Sequence, residues 1–123
     1  MPPTEQEAWV TLVRHEDDVP REASHCGVRD RLIGYEDAGR VAAWAHAVDM
    51  HDTPEHYHRR RAELYYVLAG EGTVTLDGKP HPVRAGSIVH IPPGVIHSAR
   101  GALRVLVVGV PEMVDDDIYF LDA

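Results

Sequence analysis

The chain is poor in cysteine: Cys26 stands alone, so no disulfide can close within it. Basic residues are also outnumbered, 12 Lys and Arg against 20 Asp and Glu. The net charge of −8 disfavours nucleic acid and anionic membrane as partners. Long apolar runs are missing; the longest clean one, Val105 to Val110, is far too short to span a bilayer. Residues 1–7 are polar and acidic and lack the apolar centre of a signal peptide, which leads to the expectation of a cytoplasmic protein. There is no internal repeat, no low-complexity tract, no helix-turn-helix segment and no helical periodicity longer than two turns. What the chain has in quantity is histidine, nine in 123 residues.

Gly and Pro punctuate short β-like stretches at near-regular intervals, which predicts an all-β sandwich or barrel. Strands are expected at Trp9–Val13, Val28–Gly34, Val41–Met50, His56–His58, Glu63–Leu68 and Thr73–Leu76. Further strands are expected at Lys79–Arg84, Ser87–Ile91, Ile96–Ser98 and Leu103–Val110. Asp77-Gly78 is the best hairpin signal. Loops or turns are expected over His15–Cys26, Glu36–Gly39, His51–Glu55, Arg59–Arg61 and Gly70–Gly72. The acidic run Asp115–Asp117 reads as solvated. The apolar residues Ile118–Leu121 read as packing on the barrel or on a second subunit.

His56-Tyr57-His58 leads on to Glu63 and Gly70 in the spacing H-x-H-x4-E-x6-G. After residues 71–85, Gly86, Pro92, Gly94 and His97 give G-x5-P-x-G-x2-H. Residues two apart on a strand face the same side, so His56 and His58 enter one cavity together. Glu63 then comes from the next strand, and His97 from a third strand paired beside them. Three imidazoles and a carboxylate suit a first-row divalent ion. A carboxylate buried beside imidazoles with no cation must otherwise neutralise or find a partner.

The two blocks resemble the two signature motifs of the cupin superfamily, motif 1 at 56–70 and motif 2 at 86–101. Agreement at all eight fixed positions by chance is on the order of 10^-10, taking each residue type at roughly one in twenty. Two positions depart from the fuller pattern: Met50 stands where the family often has Gly, and Gly101 where it often has Asn. Neither is a metal ligand, but both argue against close kinship with the germin-like branch. The resemblance implies a cupin double-stranded β-helix, a jelly-roll barrel. It implies one domain over residues 1–123, since no second His-x-His occurs. It also implies one divalent transition metal (Fe, Mn, Ni or Zn) on His56, His58, Glu63 and His97.

Other residues near the motifs are weaker candidates. His46 shares a strand face with Trp44 and Val48, and Tyr65 shares one with Glu63. Both are candidate catalytic residues acting beside the metal ligands, with plain packing as the competing reading. The run Arg59–Arg61 either steers an anionic ligand or is a solvated turn tip. His90 reads as structural. His15, His25, His51 and His81 read as surface residues, and Cys26 as uninvolved.

Four protein ligands leave two positions of an octahedron open for substrate or O2. With iron, that predicts a dioxygenase or other oxidoreductase acting on a chelated small molecule, with a carboxylate as one candidate. With Mn, Ni or Zn, isomerase, decarboxylase or lyase chemistry fits equally. A non-catalytic sugar- or carboxylate-binding barrel is the alternative from a different class. Exposed sheet edges and the apolar tail predict a homodimer.

Overall fold

The computed structural model describes residues 9–112 and 116–121, so the expectations for residues 1–7 and for Asp115 lie outside the described residues. Eight strands form one antiparallel sheet: β1 Arg21–Ser24, β2 Gly27–Ile33, β3 Trp44–Tyr57, β4 Ala62–Leu76, β5 Lys79–Arg84, β6 Ile88–Ile91, β7 His97–Val110 and β8 Tyr119–Phe120. Their order is β1-β2-β3-β7-β4-β5, with β6 on β4 and β8 on β3. The all-β class is as expected, and no described helix is long and apolar enough to cross a membrane.

The strands are longer than the turn residues predicted. Gly70-Glu71-Gly72 is not a turn but lies inside β4. A Cβ at Gly70 would meet the Ala102 carbonyl oxygen at 2.2 Å, and one at Gly72 the Arg100 carbonyl oxygen at 2.1 Å. These glycines let β4 bend tightly against β7. His51–Glu55 likewise belongs to β3, where register with β7 shifts between His51 and Thr53 and again between Thr53 and His56. Pro54 is tolerated because it sits at this irregularity. The strands expected at Ile96–Ser98 and Leu103–Val110 run together as one, β7, which starts at His97.

Two other expectations fail near the N-terminus. Trp9–Val13 forms no strand; Val10 makes a single backbone bond to Arg40, and Val13 is fully solvent-facing. Conversely, the loop expected over His15–Cys26 contains β1, an edge strand paired with β2. Its polar run Arg21–Ser24 has no apolar alternation to betray it.

The register of β4, β7 and β3 arranges the interior in rows. Val67, Val105 and Val48 form one row, Tyr65, Val107 and His46 the next, and Glu63, Gly109 and Trp44 the next. Val67, Val105 and Val48 are buried, and each contributes about 1.5–3 kcal/mol by leaving water. Two residues further along the strands, the lining becomes polar. The apolar core therefore grades directly into the site.

Candidate metal centre and its cavity

His97 and Gly109 lie on the same strand, twelve positions apart, roughly 40 Å if it ran straight. Glu63 is the cross-strand partner of Gly109, yet its Oε1 is 3.5 Å from His97 Nε2. The bends in β3, β4 and β7 close this distance by folding each strand's halves toward each other. His56 pairs in register with His97, and His58 follows directly after β3. One ligand atom from each of His56, His58, Glu63 and His97 falls within a group spanning at most 4.8 Å, and all four residues are buried. The sequence reading brought these four together, and the structure does so too.

The imidazoles are oriented alike. Nδ1 of His56 lies 2.9 Å from the Pro54 carbonyl, that of His97 2.9 Å from the Val95 carbonyl, and that of His58 2.6 Å from the Asp117 carbonyl. A carbonyl only accepts, so each Nδ1 carries the proton and each Nε2 presents a lone pair inward. His56 Nε2 makes no hydrogen bond, and His97 Nε2 has only Glu63 Oε1 beside it, at 3.5 Å. His58 Nε2 is 3.1 Å from Glu63 Oε1. In that tautomer two acceptors face one another across the centre, an arrangement a divalent cation satisfies. The donor set therefore fits a metal.

The charges agree. Burial alone would raise the Glu63 carboxyl, but its close contacts with His58 and His97, whose part a bound cation would take over, and the nearby Arg61 guanidinium outweigh it and hold it well below the usual range. Burial, then the neighbouring His97, lowers His56 to about 4. Ligation needs an ionised carboxylate and a free imidazole lone pair, and the shifts of Glu63 and His56 both run that way.

A cavity of about 60 Å³ adjoins the centre. His46 and Tyr65 both line it, with Trp44, Val48 and Val107. Burial, then Arg29, pushes His46 down to about 3, so it is neutral at physiological pH. Burial, then Glu63, pushes the Tyr65 hydroxyl well up, so it stays protonated. Cys26, read as uninvolved, and His25, read as a surface residue, stand at this cavity with Ile118. Burial, then Glu63, raises the Cys26 thiol to about 12, so it is no activated nucleophile. His90 is exposed and outside the cavity, as are His15 and His51.

Two charged residues were misjudged from sequence. Arg61 is not a solvated tip; it is buried, 3.5 Å from both Glu63 Oε2 and His58 Nε2, and its guanidinium lies 5.2 Å from the Trp44 ring. Alternation back from Glu63 through Tyr65's face would have pointed to it. Arg59 and Arg60 do face outward, over Tyr119 and against Asp116. Asp117 is likewise not solvated but fully buried. Its carboxylate accepts from the backbone N–H groups of Arg59, Arg60 and Arg61 at 2.8, 2.9 and 3.1 Å. Burial would raise this carboxyl, but the three N–H donors outweigh it and lower it. Asp117 thus fixes the turn between the His pair and Glu63, while its own carbonyl orients His58. Beyond it, β8 pairs with β3 at His56 and Tyr57, so the apolar tail packs on the barrel.

Residues 48–109 match the family model described as Cupin domain, and the chain belongs to the cupin family. It is similar to Protein SchB of Streptomyces halstedii, 34% identical over 79% of this chain and 70% of that protein. It is also similar to the dimethylsulfoniopropionate lyase DddW of Ruegeria pomeroyi, 32% identical over 72% of this chain and 47% of that protein. A crystal structure of a protein from Planctomyces limnophilus superposes with a TM-score of 0.82 at 24% identity, covering 92% of this chain and 99% of that one. That last likeness concerns the fold.

Proposed function

We propose that the protein is a metal-dependent enzyme in which His56, His58, Glu63 and His97 hold one divalent ion, Fe, Mn, Ni or Zn. The observation that carries this reading is the set of four buried, converging acceptors, each imidazole locked by a backbone carbonyl. When bound, such an ion supplies a Lewis acid with open positions for a small molecule and O2. Trp44, Val48, Val107 and Ile118 give the cavity an apolar wall beside the centre. Arg61 holds Glu63 in place by charge. A dioxygenase or related oxidoreductase is the first reading.

A non-redox lyase, isomerase or decarboxylase is the second. The likeness to DddW favours it. His46 and Tyr65, set across Val107 from one another, are held neutral and protonated, so they offer hydrogen bonds to a ligand and are poor proton-transfer groups. A panel of catechols, small carboxylates and sugars separates the readings, with oxygen uptake and product followed together in iron-loaded protein. Uptake matched to product, and absent in His97→Ala, supports the dioxygenase. Product without uptake moves the assignment to the lyase group. Saturable binding with no product from any compound leaves a non-catalytic binding barrel.

A homodimer is proposed as well, through a different surface from the tail. Tyr66, Leu68 and Ile88 are exposed on the outer face of β4 and β6, Tyr66 directly opposite Ile88, and Ile88 keeps 66% of its surface in water. Such an apolar patch favours self-pairing. Sedimentation at micromolar concentration should give twice the 13.7 kDa chain mass, and Ile88→Glu should reduce it to the monomer. A wild-type monomer under those conditions would rule the dimer out.

A further inference from the structure

Buried polar atoms in native proteins nearly always find a partner, so each orphan asks for a ligand or a water. Among the described residues, the orphans His56 Nε2 and His97 Nε2 belong to the metal centre. Trp44 Nε1 and His46 Nε2 do not. Both residues line the same cavity, are only 4% and 3% exposed, and bond to nothing through these atoms. They follow one another on the inner face of β3, with ring centroids 4.7 Å apart.

From these two orphans we infer that this part of the cavity is a subsite for the carboxylate of a short organic acid. It rests on the metal reading only for what holds the ligand's other end. The indole N–H is a donor and nothing else, so it needs an acceptor. The charged groups acting on His46 are Arg29, Arg31 and Arg61 against Glu22. Arg29 lines the cavity while its Nη2 holds Glu22 Oε2 at 2.6 Å. Arg61 stands between Trp44 and Glu63, touching both sets of residues. A cationic or purely apolar group meets this lining badly. A carboxylate brings negative charge and two acceptor oxygens. The volume, about 60 Å³, has room for a compact acid.

Gly109 keeps the indole in place. A Cβ there would fall 1.9 Å from Trp44 Nε1 and Cε2, so the ring lies directly on the backbone of β7. No other residue type allows this close approach. This glycine lies outside both sequence motifs, and its role is steric.

The probe is glycolate, with ethylene glycol as its neutral counterpart, titrated into zinc-loaded protein. The chain has two tryptophans, so two indole N–H resonances report separately. Glycolate should move the Trp44 resonance and leave that of Trp9, while ethylene glycol should move neither. Trp44→Phe and His46→Phe should each weaken glycolate at least ten-fold with zinc still bound at one per chain. Glycolate binding that leaves the Trp44 resonance unmoved, or that is equally tight in both variants, would overturn the subsite and leave the metal as sole anchor. Failure of zinc to bind would count against the metal reading alone. The same titration of metal-free protein then decides the subsite by the same criterion: a moved Trp44 resonance upholds it, an unmoved one overturns it.

Discussion

His97→Ala is expected to remove most of the metal and to lower the melting temperature of the protein as isolated. His97 Nε2 points at the centre with Glu63 Oε1 3.5 Å away, and its loss opens the side of the centre where β7 meets β3. Losing an outer hydrogen-bond partner typically weakens metal binding roughly 10–100-fold, and losing a ligand should exceed that. Free metal at a hundred times Kd stabilises a fold by about 2.7 kcal/mol. For a domain of this size that corresponds to roughly 10 °C. Elemental analysis and calorimetry with and without chelator check both effects.

The metal-dependent increment should also fall with pH. Burial is the leading cause of depression for both His46, held at about 3, and His56, held at about 4. Below about pH 6.5 the unfolded chain takes up protons that these folded imidazoles refuse, so stability rises with pH in that range. Their contribution is therefore complete above about 6.5 and is lost as pH falls toward 4 and then 3. Protons compete with the ion for His56 in the same window. The chelator-sensitive part of the melting temperature should be large near pH 8 and small near pH 5. A melting temperature near pH 8 that ignores proven metal removal would show that the ion is not coupled to folding.

Asp117→Ala should be the most damaging change outside the four ligands. It leaves the N–H groups of Arg59, Arg60 and Arg61 without their acceptor. An unsatisfied buried donor costs about 1–3 kcal/mol, so several kcal/mol are at stake. The turn it holds sets the approach of His58 to Glu63, so metal affinity should drop by roughly 10–100-fold as well. Asp117→Asn keeps one acceptor oxygen and should fall between alanine and wild type. Urea unfolding and chelator competition measure the two losses. Wild-type values for Asp117→Ala in both would refute the clamp.

The contrast between Glu63 and Asp117 shows what a sequence conveys here. Glu63 was legible because its spacing from His56 and His58 is set by strand geometry and one short turn, both local. Asp117 sits in an acidic run, and its partners are more than fifty residues earlier, so no local pattern separates it from a solvated carboxylate. The nearest hint is that it directly precedes the apolar Ile118–Leu121. Arg61 was lost for the related reason that a run of three arginines was read as one unit. The strand bends failed differently. Gly70, Gly72 and Pro54 are turn formers by local chemistry, and only the passing backbone of β7 converts them into bends within continuous strands.

Those bends make the ligand set a property of the closed barrel and not of any one segment. His97 and Glu63 come from strand regions that are far apart until the sheet doubles over. The unfolded chain therefore offers no complete four-ligand cage, and an ion held by all four would act as a latch on a barrel already closed. Damage at the fold line should be felt at the latch: Gly70→Val, which drives a side chain into the Ala102 carbonyl, would loosen metal without touching a single ligand.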